Sequence, residues 1–176
     1  MADLTTSRGD RVRLAVASLS LSAAAFVGIV AREGYTETAV IPTKNDRPTV
    51  GFGSTFREDG APVQMGDRIT PVRAVQRAAA HVSREEAVFR QSLPGVQMTP
   101  GEYDVYMDWV YQYGTGAWAN SSMRRQLAAG NYRAACDALL LYKFSGGFDC
   151  SKPGNKVCAG VWDRQLARHA KCLGEQ

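Results

Sequence analysis

The chain has 176 residues, enough for one domain with a real core plus a short appendage. Its composition, 45% apolar and 22% charged, excludes a disordered tail and a multi-span membrane protein. A net charge of +4 is only mildly basic, and no Lys/Arg block interleaved with aromatics occurs, so nucleic acid is not an expected partner.

The first feature in chain order is an uncharged run from Leu14 to Ala31. As one helix it would span about 27 Å, just enough for the hydrocarbon core of a bilayer. Arg8, Arg11 and Arg13 precede it, which predicts a cytoplasmic N-terminus and export of the rest. The run is rich in Ala and Ser and poor in large aliphatics, so its hold on lipid is marginal. A cleaved signal peptide, a permanent anchor and an anchor that later leaves the membrane are the three readings. The third is preferred, because cleavage after Ala31 would leave Glu33 beside a new terminus.

Glu33 to Thr55 reads as irregular and then β-like. Val50-Gly51-Phe52-Gly53 predicts a small strand with close backbone approach, after turns at Pro42, Asn45, Asp46 and Pro48. Thr70-Pro71 pairs a hydroxyl N-cap with Pro at the first helical position, predicting a helix to about Leu93. Thr99-Pro100 repeats the signal. Further helices are expected over Ser121–Ala129, Tyr132–Tyr142 and Val161–Leu173. The expected fold class is α+β, mainly helical, with one small hairpin or sheet.

Four cysteines, Cys136, Cys150, Cys158 and Cys172, lie near the C-terminus. In an exported chain they suggest two disulfides. Pairing Cys150 with Cys158 would close the Pro-Gly loop between them and leave Cys136 for Cys172. Zinc ligands usually come in tighter pairs, so no metal and no cofactor are expected, and buried free thiols are the remaining reading.

Glu33 stands next to an apolar segment. A carboxyl in such a setting holds its proton more tightly, which is what a general acid needs. Alone, it reads as a surface charge at the end of a helix. The string around it says more. Glu33-Gly34-Tyr35, followed by Thr49-Val50-Gly51-Phe52-Gly53, resembles the phage lysozymes of glycoside hydrolase family 24. Downstream, Asp108 to Gly116, Ser121 to Tyr132, Tyr142 to Gly147 and Gly160 to Gln165 are similar to that family's later motifs, in the same order.

The resemblance implies a lysozyme-like domain over 33–176 that hydrolyses the β-1,4 bond between N-acetylmuramic acid and N-acetylglucosamine in peptidoglycan. Glu33 would be the acid. Thr49 and an aspartate would position water, with inversion at the anomeric carbon. The spacing from Glu33 to Thr49 is one longer than usual, and the aspartate's place falls near Pro42 or Thr43, neither of which ionises. Asp46 is the nearest candidate, and its bland role is turn capping; Glu37 reads as a solvated charge. Gln112 and Tyr113 occupy the stretch that borders the cleft in the family, so they are expected at the substrate.

Residues 1–32 resemble the signal-anchor segment of endolysins that are tethered to the host inner membrane and later released to the periplasm. A monomer that lyses the host wall is the expectation. A lytic transglycosylase, which needs a Glu but no activated water, and an inert wall-binding protein on the same scaffold are the rival readings.

Overall fold

The computed structural model describes residues 11–43 and 46–176. Arg8, ahead of the apolar run, and Asn45, in the predicted turn, lie outside the described residues.

The run from Leu14 to Ala31 is not a single helix in the folded chain. It divides into strand β1 (Leu14–Ala15), a 3-10 turn (Val16–Ser18) and helix α1 (Ala23–Glu33). The serines break it. The Ser18 hydroxyl donates to the Ala15 carbonyl at 2.8 Å, and Ser22 caps α1 by accepting from the Ala25 amide at 3.1 Å. Such side-chain bonds compete with helix continuation and favour N-cap positions. No helix among the described residues is long and apolar enough to cross a membrane.

Strands β2 (Thr36–Val40) and β3 (Thr49–Gly51) form an antiparallel hairpin with a register shift between its ends. The predicted strand over 50–53 therefore starts one residue early and stops at Gly51. Gly51 and Gly53 both have positive φ, 69° and 77°, so the chain turns back instead of continuing, and Val50 and Ser54 exchange backbone bonds across the turn.

Helix α2 (Pro71–Gln91) starts where Thr70-Pro71 predicts. It stops two residues short of Leu93. Strand β4 (Gln97–Met98) pairs with β1, bringing the N-terminal segment onto the body of the domain. Helix α3 (Pro100–Ala119) opens with a full capping box. Thr99 Oγ1 accepts from the Glu102 amide at 3.0 Å, and Glu102 Oε2 accepts from the Thr99 amide at 2.7 Å.

Helices α4 (Ser122–Ala128) and α5 (Tyr132–Ala138) follow. The predicted helix over 132–142 tightens after Ala138 into a 3-10 turn (Leu139–Leu141). A short hairpin, β5 (Phe144–Ser145) with β6 (Phe148–Asp149), precedes α6 (Ala159–Leu173). The cysteines pair Cys136–Cys172 and Cys150–Cys158.

Two clusters of buried side chains result. The larger surrounds α3 and includes Phe89, Tyr103, Trp109, Trp118 and Leu127, with Val16 and Leu19 of the N-terminal segment inside it. Full burial of one such side chain contributes about 1.5–3 kcal/mol. The smaller holds Ala39, Val50, Val63, Ile69 and Ala74 behind the β2–β3 hairpin. Helix α2 joins them, contributing Ala74 to one and Phe89 to the other.

Candidate active site

Glu33 is the last residue of α1, and Gly34, with φ of 70°, takes the chain sharply out of the helix. A residue with a side chain is strained there, so the Glu-Gly pair is a helix stop that presents the carboxylate at a helix end. The carboxylate is exposed and lines a cleft of about 560 Å³. The apolar setting expected from the preceding segment is not what surrounds it. Its neighbours are the turn after β3 and the side of α3.

On one wall lie Phe52, Gly53, Ser54 and Thr55, the turn after β3. Tyr111 of α3 is on the wall as well, and its hydroxyl donates to the Phe52 carbonyl at 3.3 Å. Burial, and then the charge of Glu33, push the Tyr111 phenol up to about 12, so it remains a hydrogen-bond donor at any physiological pH. Tyr35 packs its ring 5.7 Å from Phe52 and donates to the Ile69 carbonyl at 2.6 Å, bracing the hairpin from behind.

The facing wall is α2. Arg73, Gln76, Arg77, His81 and Arg84 line the cleft from one side of that helix. The His81 ring meets the Tyr111 ring edge-on at 5.5 Å, and burial lowers its pKa, keeping it neutral. Glu58, a second carboxylate on the cleft, faces Arg73 and Arg77 at 3.8 and 3.7 Å.

The other expected site residues are placed as follows. Thr49 begins β3, and its hydroxyl reaches the Val40 carbonyl at 3.5 Å. Asp46 is exposed and closes its own turn. It accepts from the Arg47 amide at 2.8 Å and the Thr43 hydroxyl at 3.3 Å. Neither is among the residues lining the cleft at Glu33.

Gln112 accepts from Arg168 at 2.8 Å, and Tyr113 accepts from Gln165 at 3.0 Å while stacking on Trp109. They are held by α6, and it is their neighbour Tyr111 that faces Glu33. A helix turns by about 100° per residue, so adjacent positions face different partners. The α2 wall was missed from the sequence, although arginines at 73, 77 and 84 follow helical spacing. No group of three or more potential metal ligands occurs among the described residues.

A model of the phage lysozyme family matches residues 30–168. The chain belongs to the phage lysozyme family. This lysozyme is 34% identical over 99 residues to the endolysin of Salmonella phage P22, a stretch that covers 56% of this chain and 67% of that one. Its fold is similar to the endolysin from Escherichia coli O157:H7 phage FAHEc1, with a TM-score of 0.74 and 25% identity over 90% of this chain and 96% of the other. It is also similar to a point mutant of P22 lysozyme, with a TM-score of 0.69 and 27% identity over 88% of this chain and 99% of the other. The lysozyme-like fold, mainly helical with small sheets, is thereby shown, and this lysozyme is a glycoside hydrolase acting on peptidoglycan.

Proposed function

We propose that this lysozyme is an endolysin of the family 24 type, in which Glu33 protonates the glycosidic oxygen between N-acetylmuramic acid and N-acetylglucosamine. The observation that carries this is the position of Glu33 at a helix end on the cleft, beside Gly53 and Tyr111. Thr49, with Asp46 on the loop before it, is assigned to hold the attacking water, so that the configuration inverts. Gln112 and Tyr113, next to Tyr111 on α3, are assigned to the substrate side as well, with a glycan contact for Gln112. Glu33→Gln keeps the side chain's shape and removes the proton. It should abolish turbidity loss of purified walls while leaving the melting temperature near wild type; substantial residual lysis overturns the assignment.

A transglycosylase reading draws on one observation, that neither Asp46 nor Thr49 lines the cleft with Glu33. Product ends separate the two. Reducing ends mark hydrolysis, and 1,6-anhydro-muramic ends mark the transferase.

The chain's history in the cell is part of the proposal. Residues 1–32 serve first as a weak signal anchor in the host inner membrane, with domain 33–176 on the periplasmic side. They leave the bilayer before a monomeric enzyme lyses the wall. Support comes from the uncharged Ala/Ser-rich run behind arginines. The same run packs against the catalytic domain in the folded chain, with Val16, Leu19 and Ile29 buried. Fractionation of expressing cells tests it. The protein should sediment with membranes, then move to the soluble periplasm when the membrane is depolarised.

A further inference from the structure

Helix α1 carries the acid but has little apolar grip on the domain. Ile29 alone among its residues is buried. A helix with one buried side chain and half-buried Phe26 and Val30 is held more firmly when polar ties fix its ends.

Two aspartates of α3 supply such ties. At the start of α1, Asp104 accepts from the Ser22 amide at 2.9 Å and the Ser22 hydroxyl at 2.7 Å, and that hydroxyl caps the helix. At the other end, Arg32 pairs with Asp108. Asp104 and Asp108 are one helical turn apart, so they share a face of α3. Asp108 is anchored in turn. Its second oxygen accepts from Arg168 Nε at 2.6 Å, its carbonyl accepts from Nη2 at 2.9 Å, and Arg168 is only 4% exposed. Tyr111, three residues further along α3, is the side chain beside Glu33 in the cleft.

We propose that Asp104 and Asp108 are positioning residues for Glu33: together they clamp both ends of α1 against α3, and the Arg32–Asp108 pair fixes the last turn, from which the acid projects. This rests on Glu33 being the acid. A shift of about 1 Å in a reacting group can cost on the order of 100-fold in rate. An ion pair whose arginine side chain is 45% exposed contributes little to stability. The clamp therefore acts on turnover far more than on folding.

The test uses Arg32→Gln in the full chain, which leaves Asp108 paired with Arg168 and so keeps the fold. On soluble peptidoglycan fragments kcat should fall about tenfold with KM within twofold and the melting temperature nearly unchanged. Arg32→Lys should restore most of kcat. Ser22→Ala, which loses the hydroxyl bond to Asp104 at the other end but keeps the amide bond, should lower kcat in the same direction. Hydrogen exchange supplies a readout that needs no activity. Amides of α1 should lose protection in Arg32→Gln while those of α3 keep theirs. Full kcat in Arg32→Gln, a loss confined to KM, a Lys variant as slow as the Gln variant, or unchanged α1 protection each overturns the clamp. A wild type that cuts peptidoglycan while Glu33→Gln cuts equally well overturns the acid assignment instead, and the exchange result still reads the clamp.

Discussion

A side chain on Gly53 would begin 3.6 Å from Glu33 Oε2. Gly53 thus keeps the space beside the Glu33 carboxylate open as well as turning the chain, with φ of 77°. Both demands fall on one residue. Gly53→Ala should lower stability by about 1–3 kcal/mol through its left-handed backbone. It should lower turnover by more than that implies, since the methyl occupies the approach to Glu33. Denaturant unfolding alongside initial rates on walls separates the two effects.

The Tyr111 hydroxyl ties α3 to the turn after β3 along one wall of the cleft. Tyr111→Phe removes that bond and leaves the ring against His81. A stability loss of about 1 kcal/mol is expected from thermal melts. The expected drop in kcat/KM is several-fold, because the turn that flanks Glu33 is freed.

Asp46→Asn retains acceptors for its turn and loses the charge. If Asp46 shares the water with Thr49, turnover on walls should fall at least tenfold, with the melting temperature unchanged. Thr49→Val should be slower still. Near-normal activity of Asp46→Asn assigns the water to Thr49 alone.

The β5–β6 hairpin should loosen in acid. The Ser151 hydroxyl, and then Lys143, hold the Asp149 carboxylate down to about 2, below its unfolded value near 4. A depressed carboxylate contributes stability that is present above the unfolded value and lost as pH falls through the folded one. The melting-temperature gap between wild type and Asp149→Asn should be full above about pH 4 and close toward pH 2.

The two disulfides should differ in worth. They close loops with sequence separations of 36 and 8 residues, for Cys136–Cys172 and Cys150–Cys158 respectively. Loop entropy alone gives about 3.8 and about 2.5 kcal/mol. The first also lies in the main core. Paired Cys→Ser variants, unfolded in urea, should rank in that order.

Much of this was legible in the chain. Thr70-Pro71 and Thr99-Pro100 marked α2 and α3 because capping is local chemistry, read within a single helical turn. The Glu-Gly stop and the Thr-Val-Gly-Phe-Gly turn were legible for the same reason, whereas the cysteine pairing was left open by the sequence and is given by the structure as Cys136–Cys172 and Cys150–Cys158. What could not be read was where neighbours in space direct a side chain. Gln112 and Tyr113 are expected at the substrate, and Arg168 and Gln165, more than fifty residues away, hydrogen-bond their polar ends toward α6.

The sequence by itself determined the family, the helix starts, the Glu-Gly helix stop and the turn that faces it, since each depends on short ordered motifs. The tertiary structure decided what becomes of residues 14–31. Apolar enough to be read as a membrane helix, they break at serines, bury Val16 and Leu19 in the core, and place Ser22 on Asp104, while Arg32 just beyond them pairs with Asp108. Hydropathy measures only how much a segment gains by leaving water. Whether it leaves for lipid or for protein depends on the partners that folding brings to it, and those partners lie some eighty residues downstream on α3.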